Sequence, residues 1–160
     1  MNWKALPNHV RIWIYQSDSI ISPEQIVSIS ADANQFLGQW MAHGESMNAA
    51  FEIFHNRFLV FFVDEKITKA TGCSIDKSVH FIQAIEKKYK LSLLDRMKVA
   101  FKTGGEVQVE NINVFTENVR DGSLSPDTIV FDNLVKDKSE FLGSWEIPVA
   151  RSWMSRFVPV

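Results

Sequence analysis

The chain has 160 residues, of which 46% are hydrophobic and 22% charged, a composition typical of one globular domain with its own hydrophobic core. Seventeen Lys and Arg residues stand against nineteen Asp and Glu residues, and this balance argues against a general nucleic-acid or acidic-membrane binder. The single cysteine excludes an internal disulfide. Because the N-terminal residues lack the apolar run of a signal peptide and the longest apolar stretch, FLVFFV, cannot span a bilayer, we expect a cytoplasmic protein with no membrane partner.

The first third of the chain predicts a strand followed by a helix. Residues 10–16, VRIWIYQ, alternate between two faces as a strand does. SPEQ at 22–25 combines a capping serine, a proline suited to the first turn and a glutamine that completes a capping box. Apolar residues then recur at helical spacing as far as Trp40, and Gly44 is the expected end of this helix.

Two more strands and a second helix follow. Residues 49–55 and 58–63 predict strands joined by a tight turn at 56–57, and the second of them is apolar at every position, as in a strand covered on both faces. Gly72 and Ser74 mark the start of the second helix. Residues 97–102 predict a fourth strand, which turns at TGG into EVQVE, a candidate hairpin partner. Beyond this hairpin the pattern predicts a short helix, a strand and further helical turns near 113–120, 128–131 and 137–144.

The order of these elements predicts an α+β fold. The first hundred residues read βαββαβ, the ferredoxin-like arrangement, with an antiparallel sheet in the order 4-1-3-2 and both helices on one face. We therefore expect a single domain over residues 1–160, with a ferredoxin-like core at 1–102 and a C-terminal extension at 103–160 that packs on it.

This topology predicts that polar residues from separate segments meet at one edge of the sheet. The first helix ends, the third strand ends and the second helix begins at that edge, and the end of the fourth strand, with Thr103 and Gly104, is expected nearby. The residues brought together there would be His43, Glu45, Ser46, Asp64, Glu65, Cys73, Ser74, Asp76, Lys77 and Ser78.

Cys73 is the candidate nucleophile of this edge. At a helix N-terminus the positive end of the helix dipole favours the thiolate, His43 would act as the base, and Asp64 or Glu65 would orient the imidazole. The alternative interpretation is that Cys73 is a small buried residue that fills a gap beside a capping turn.

A ligand is the second hypothesis for the same edge. Ser74, Ser78 and Lys77, with the free amides of a helix start, would hold an anion. The carboxylates of Asp64, Glu65 and Asp76 would instead favour a hard cation. The chain has no phosphate-loop motif, and its four histidines are scattered, so we expect no metal site and no cofactor.

The second face of the predicted sheet is apolar and needs a cover. Trp13 and Tyr15 lie on one side of the first strand, and RNA-recognition modules of this topology stack bases on such aromatics. The alternatives are a second copy of the chain, which would make a homodimer, and the C-terminal extension. The covering side chains would then be Trp145, Trp153, Met154 and Phe157.

Several segments together resemble a family of short bacterial proteins of unknown function. They are WIYQS (13–17), FLGQWMAHG (36–44), VDE (63–65), GCSIDKSVHF (72–81), LLDRMKVAF (93–101) and PDTIVFDNLV (126–135), and GCSIDKS is the most distinctive. Some members carry the label "ABC transporter ATPase", but this sequence has neither a phosphate loop nor an ABC signature. The resemblance therefore implies no activity, substrate or catalytic residue.

These observations favour a non-catalytic binding or interaction protein that forms a homodimer, with an unknown ligand and no nucleic-acid partner. The alternative is a small enzyme that uses Cys73 as nucleophile and His43 as base.

Overall fold

The computed structural model describes residues 2–42, 44–66 and 68–160. Within these residues the fold is mixed α+β, with four helices and several antiparallel sheets. The chain clusters into two compact units: an N-terminal unit, which runs to Leu94 and includes Lys136–Ser139, and a C-terminal unit formed by Asp95–Val135 and Glu140–Val160. None of the described helices is long and apolar enough to cross a membrane.

The N-terminal unit is built on a three-stranded antiparallel sheet. In chain order its elements are β1 (Arg11–Gln16), α1 (Pro23–Gln39), β2 (Met41–Ala42), β3 (Glu45–Ser46), β4 (Ala49–Phe54), β5 (Phe58–Val63) and α2 (Gly72–Tyr89). The sheet order is β1-β5-β4, and Phe61 at the centre lies opposite Trp13 on one side and Phe51 on the other. β2 and β3 pair only with each other.

Both helices pack on one face of this sheet, as predicted. The apolar stripes of α1 and α2 meet odd-numbered strand residues in one core, and Ile29, Phe61 and Ile82 within it are fully buried. Alternate strand residues point to opposite faces of the sheet. Apolar residues at every second position of each strand therefore form one apolar face, and both helices pack on it.

Local signals fixed the start of α1 but not its end. Ser22 accepts a hydrogen bond from the backbone N–H of Gln25, whose side chain accepts one from the N–H of Ser22, so the predicted capping box is confirmed. The predicted end at Gly44 is wrong, because α1 ends at Gln39 and the next residues pair as β2 and β3. Gly44 adopts φ +77°, a conformation open to glycine because it lacks a Cβ.

The C-terminal unit has its own sheet and core. Its elements are β6 (Lys98–Thr103), β7 (Glu106–Asn111), α3 (Ile112–Arg120), β8 (Ile129–Phe131), α4 (Lys138–Ser144) and β9 (Glu146–Pro148), and the first two residues of α4 belong to the N-terminal unit. The sheet order is β7-β6-β8-β9, so the predicted β6–β7 hairpin is confirmed, whereas β9 was not predicted. Phe101 and Phe115 pack with ring centroids 5.0 Å apart at the centre of the core.

The strand order 4-1-3-2 is not confirmed. The 1-3-2 part exists as β1-β5-β4, but the predicted fourth strand, β6, pairs with β7 and β8 in the other sheet. The edge of β1 instead meets the segment Lys136–Ser139: the N–H of Ile12 donates to the carbonyl of Lys136 (3.0 Å), and the N–H of Lys138 donates to the carbonyl of Val10 (2.9 Å). A strand edge needs backbone partners, but the strand pattern does not say which segment supplies them.

The prediction placed Trp13 and Tyr15 on the wrong face of the sheet. Trp13 packs edge-on against Trp40 at 5.4 Å, on the helix side of the sheet, so it does not offer the open stacking platform that the RNA-binding hypothesis requires. Tyr15 contacts Phe61 on the same side. The sequence does not decide which face of β1 packs against the helices, because both faces of this strand are rich in apolar residues.

The second face is covered within one chain. Phe58, Val60 and Phe62 are fully buried, and Trp3, from a 3-10 turn at Trp3–Ala5, stacks on Phe62 with centroids 4.8 Å apart. This burial removes the surface through which the homodimer was expected to form. The proposed covering side chains lie in the C-terminal unit, where Trp145 and Met154 are buried, Phe157 is half-buried and Trp153 is exposed.

Candidate functional site

Cys73 is the second residue of α2, and its side chain is exposed. The interpretation of Cys73 as a buried gap-filling residue is therefore wrong. The cap of this helix is Thr71, whose hydroxyl accepts from the N–H of Ser74 (3.1 Å) while the hydroxyl of Ser74 accepts from the N–H of Thr71 (2.7 Å). This reciprocal pair occupies donors that an uncapped helix start would present to a ligand.

Of the proposed partners of Cys73, the structure describes Asp64, whereas His43 lies outside the described residues. Asp64 is buried, and its Oδ1 contacts Nε2 of His9 at 3.1 Å and accepts from the N–H of Lys66 at 3.1 Å. The imidazole beside Asp64 is therefore that of His9.

The predicted ligand-binding residues at the start of α2 separate into two groups. Ser74 and Ser78 are buried, and their hydroxyls donate to the carbonyls of Thr71 and Ile75. Asp76 and Lys77 are exposed on the helix surface. Because the hydroxyls are committed inside the helix, they do not form the anion site that the sequence predicted.

Two hydrogen bonds link segments that were expected to meet at one edge of the sheet. The indole Nε1 of Trp40 donates to the carbonyl of Ser74 at 2.9 Å, and the N–H of Asp64 donates to the carbonyl of Asn48 at 2.8 Å. These contacts bring the end of α1 to the start of α2 and the end of β5 to the start of β4. Thr103, expected nearby, lies on β6 in the sheet of the C-terminal unit.

A pocket lined by charged side chains lies beside the buried carboxylate of Asp64. Its volume is about 650 Å³, within the range of small-molecule sites. We call it the basic pocket, and its described lining residues are His9, Arg11, Glu65, Lys66, Lys69 and Lys136.

Three separate chain segments build the basic pocket. His9 and Arg11 come from the start of β1, Glu65 and the two lysines from the loop after β5, and Lys136 from the segment that pairs with the edge of β1. The side chain of Arg11 donates from Nη1 to Oε1 of Glu65 at 3.1 Å. Arg11 and His9 are thus each positioned by a carboxylate, whereas Lys66 and Lys69 are exposed.

The charge of the basic pocket is strongly positive in a chain whose net charge is −2. Four cationic side chains face one lining carboxylate, which leaves a formal excess of three positive charges with His9 neutral, or two when the buried Asp64 is counted. A concave wall of one sign concentrates the field and attracts ions of the opposite sign. The arrangement suits an anion, with Arg11 supplying a planar fork and the lysines supplying mobile point charges.

A second groove of about 600 Å³ lies between α1 and α2. Its apolar wall includes Phe36 and Phe81, whose rings stack with centroids 4.6 Å apart, and Lys77 and His80 lie on its rim. The aromatic pair belongs to the core cluster that seats the helices on the sheet, which accounts for its position without a ligand.

Asp32 and Lys88, which line this groove, belong to an ion-pair network. The carboxylate of Asp32 accepts from Nζ of Lys88 (2.8 Å) and from the hydroxyl of Tyr89 (2.7 Å). The hydrogen bond from Lys88, followed by that from Tyr89, lowers the pKa of Asp32 below its usual range. Burial, together with the bond to Asp32, raises the pKa of Tyr89. These contacts hold α1 against α2, so Asp32 has a structural role.

Sequence reasoning missed most of the basic pocket. It included Glu65, but not His9, Arg11, Lys66, Lys69 and Lys136. The three-residue spacing of the lysines in DEKITK was a local signal of a basic loop, and His9 and Arg11 fall on the same side of a strand start. Nothing in the sequence joined residue 136 to them, since that contact depends on the backbone pairing with β1.

Metal-ligating groups do not gather in the described residues, where no three His, Cys, Asp or Glu side chains are placed to hold an ion together. The basic pocket is the described site that suits a ligand best, and its chemistry is that of anion binding. No protein-family model, curated protein or solved structure matches this chain.

Proposed function

We propose that this protein is a non-catalytic binding protein and that its ligand is a small anion held in the basic pocket. The observation that supports this proposal is the convergence of Arg11, Lys66, Lys69 and Lys136 on one concavity whose described lining contains a single carboxylate, that of Glu65. Like charges repel, so lysines that cluster in a cavity lower the free energy of unfolding. A bound anion would neutralise them and restore that stability.

The described pocket supports binding more than catalysis. Its carboxylates are paired, Glu65 with Arg11 and Asp64 with His9, so neither is positioned as an unpaired general base. Arginine and lysine hold an anion by charge and hydrogen bonds, which requires no proton transfer.

Calorimetric titration with inorganic phosphate, sulfate and citrate tests the proposal. The double variant Lys66→Ala/Lys69→Ala is expected to lose about tenfold or more in affinity for the anion that binds best, because two cations leave the wall. The matched control is Lys77→Ala/Lys87→Ala, which removes two exposed lysines of α2 and should leave affinity unchanged.

Three results would contradict the proposal: no binding of any anion, equal binding by both double variants, or a loss confined to the control. The last result would place the site at the start of α2, where Lys77 lies.

A second candidate function keeps Cys73 as an enzymatic nucleophile, and the exposure of its thiol at the start of an 18-residue helix favours it. The test is the alkylation rate by iodoacetamide at pH 6.5, compared with that of free glutathione. A rate at least ten times that of glutathione would support an activated nucleophile. An equal rate would contradict the enzymatic role of Cys73 and leave anion binding as the proposed function.

The expected homodimer needs an interface other than the sheet face that Trp3 and the core now cover. Multi-angle light scattering at micromolar concentration tests it. A mass twice that of the chain would support a dimer, and a mass near 18.3 kDa would end that expectation.

A further inference from the structure

The proposed anion site carries more positive charge than one small anion needs, and its charges are spread around the cavity. The cations come from the start of β1, from the loop after β5 and from the segment at 136, so three separate segments contribute them. A single phosphate group fills only a fraction of about 650 Å³. A chain of linked anionic groups fills more of this space and brings more negative charge to the four cations.

The donors of this wall outnumber the acceptors of a simple anion. Each lysine offers three N–H donors, and Arg11 retains donors beyond the one given to Glu65. A terminal phosphoryl group brings more negative charge and one more acceptor oxygen than a carboxylate does, and each internal group of a phosphate chain adds a further charge and two non-bridging oxygens. The wall therefore favours several linked phosphoryl groups over a carboxylic acid of similar size.

The described lining also limits the rest of the ligand. The described lining has no Phe, Tyr or Trp ring, and its one imidazole, that of His9, contacts the carboxylate of Asp64. The neighbouring Trp13 packs edge-on against Trp40, and the guanidinium of Arg11 lies 5.6 Å from its ring centroid. The described wall therefore offers a nucleobase no Phe, Tyr or Trp ring to stack on.

We infer that the ligand of the basic pocket is a condensed phosphate, that is, two or more linked phosphoryl groups recognised without a nucleoside. This inference rests on the proposed anion-binding function and specifies its ligand class. Arg11, held by Glu65, would act as a fixed fork at one end of the phosphate chain. Lys66 and Lys69, together with Lys136, would neutralise its other groups as point charges.

The experiment is a calorimetric titration of the full chain, at one ionic strength and without divalent cations, with orthophosphate, pyrophosphate, tripolyphosphate, citrate and ATP. Each phosphoryl group added to the chain should raise affinity about tenfold. ATP should bind within about threefold of tripolyphosphate, because only its phosphates are recognised. The Lys66→Ala/Lys69→Ala variant should lower tripolyphosphate affinity more than orthophosphate affinity, and the Lys77→Ala/Lys87→Ala control should change neither.

Several outcomes would overturn the inference while leaving anion binding in place. They are citrate binding as tightly as tripolyphosphate, orthophosphate binding as tightly as pyrophosphate, and ATP binding more than tenfold tighter than tripolyphosphate. A single-stranded oligonucleotide that outcompetes tripolyphosphate at the same ionic strength would also overturn it and indicate a nucleic-acid surface. Failure of every anion to bind would instead remove the proposed function itself.

Discussion

The segment that replaces the predicted fourth strand at the edge of β1 is held by Lys138. The ammonium group of this buried lysine donates to the carbonyl oxygens of Lys4 (2.9 Å) and Leu6, and it lies 5.6 Å from the ring centroid of Trp3. One side chain therefore joins Lys136–Ser139 to the N-terminal turn that covers the sheet. We expect Lys138→Met to weaken both attachments, because methionine keeps most of the side-chain volume but donates no hydrogen bond.

The magnitude follows from the contacts that are lost. Hydrogen bonds from a charged donor contribute about 1.5–3 kcal/mol each, and the contact with Trp3 adds about 0.5–1 kcal/mol. Relief of the desolvation of a buried ammonium offsets part of this loss. The free energy of unfolding of the N-terminal unit should therefore fall by about 3 kcal/mol.

Urea unfolding followed by far-UV circular dichroism measures this change. Hydrogen exchange of the β1 amides assigns it to the N-terminal unit, whose unfolding need not coincide with that of the C-terminal unit. The matched control is Lys136→Met, which changes an exposed lysine of the same segment and should cost less than about 1 kcal/mol. A difference below about 1 kcal/mol between the two variants would refute the anchoring role of Lys138.

Three further predictions concern capping, pH and the thiol. Thr71→Ala should lower the free energy of unfolding by about 1 kcal/mol because α2 loses its cap, with Thr71→Ser as the control, and an unchanged urea midpoint would contradict the capping box. The lowered pKa of Asp32 contributes stability at neutral pH that is lost as pH falls through this pKa, so Asp32→Asn should flatten the acid limb of the stability curve; a parallel curve would contradict this. Cys73→Ser should change neither unfolding nor anion binding, since the thiol is exposed, and a loss of binding would place Cys73 in the site.

Much of the secondary structure could be predicted because its signals are local. Ser22 and Gln25 cap each other across three residues, so their reciprocal bonds are present in the sequence pattern itself. The β6–β7 hairpin likewise closes through the two glycines Gly104 and Gly105, both with positive φ, between adjacent strands. Such interactions depend on residues that are near each other along the chain.

The candidate site could not be predicted in the same way. Thr103 and Gly104 were expected near the proposed Cys73 site because β6 was placed beside β1, but β6 pairs with β7 on one side and with β8 on the other. Asp64 was correctly singled out as a polar residue after a buried strand, but the residue it binds, His9, precedes it by 55 positions. An alternating pattern defines two faces of a strand without naming its neighbours.

Spacing along the chain was enough to predict the main helices and strands and the capping box at the start of α1, because these depend on residues that are close together in the sequence. The segment that completes the edge of β1, and with it the set of charges that share a cavity, depends on contacts between residues far apart in the sequence. The pairing of Lys136–Ser139 with β1 brings Lys136 to Arg11 across more than a hundred residues. A contact of that range forms because the folded chain satisfies its backbone hydrogen bonds and buries its apolar residues at the same time. The basic pocket results from such long-range contacts.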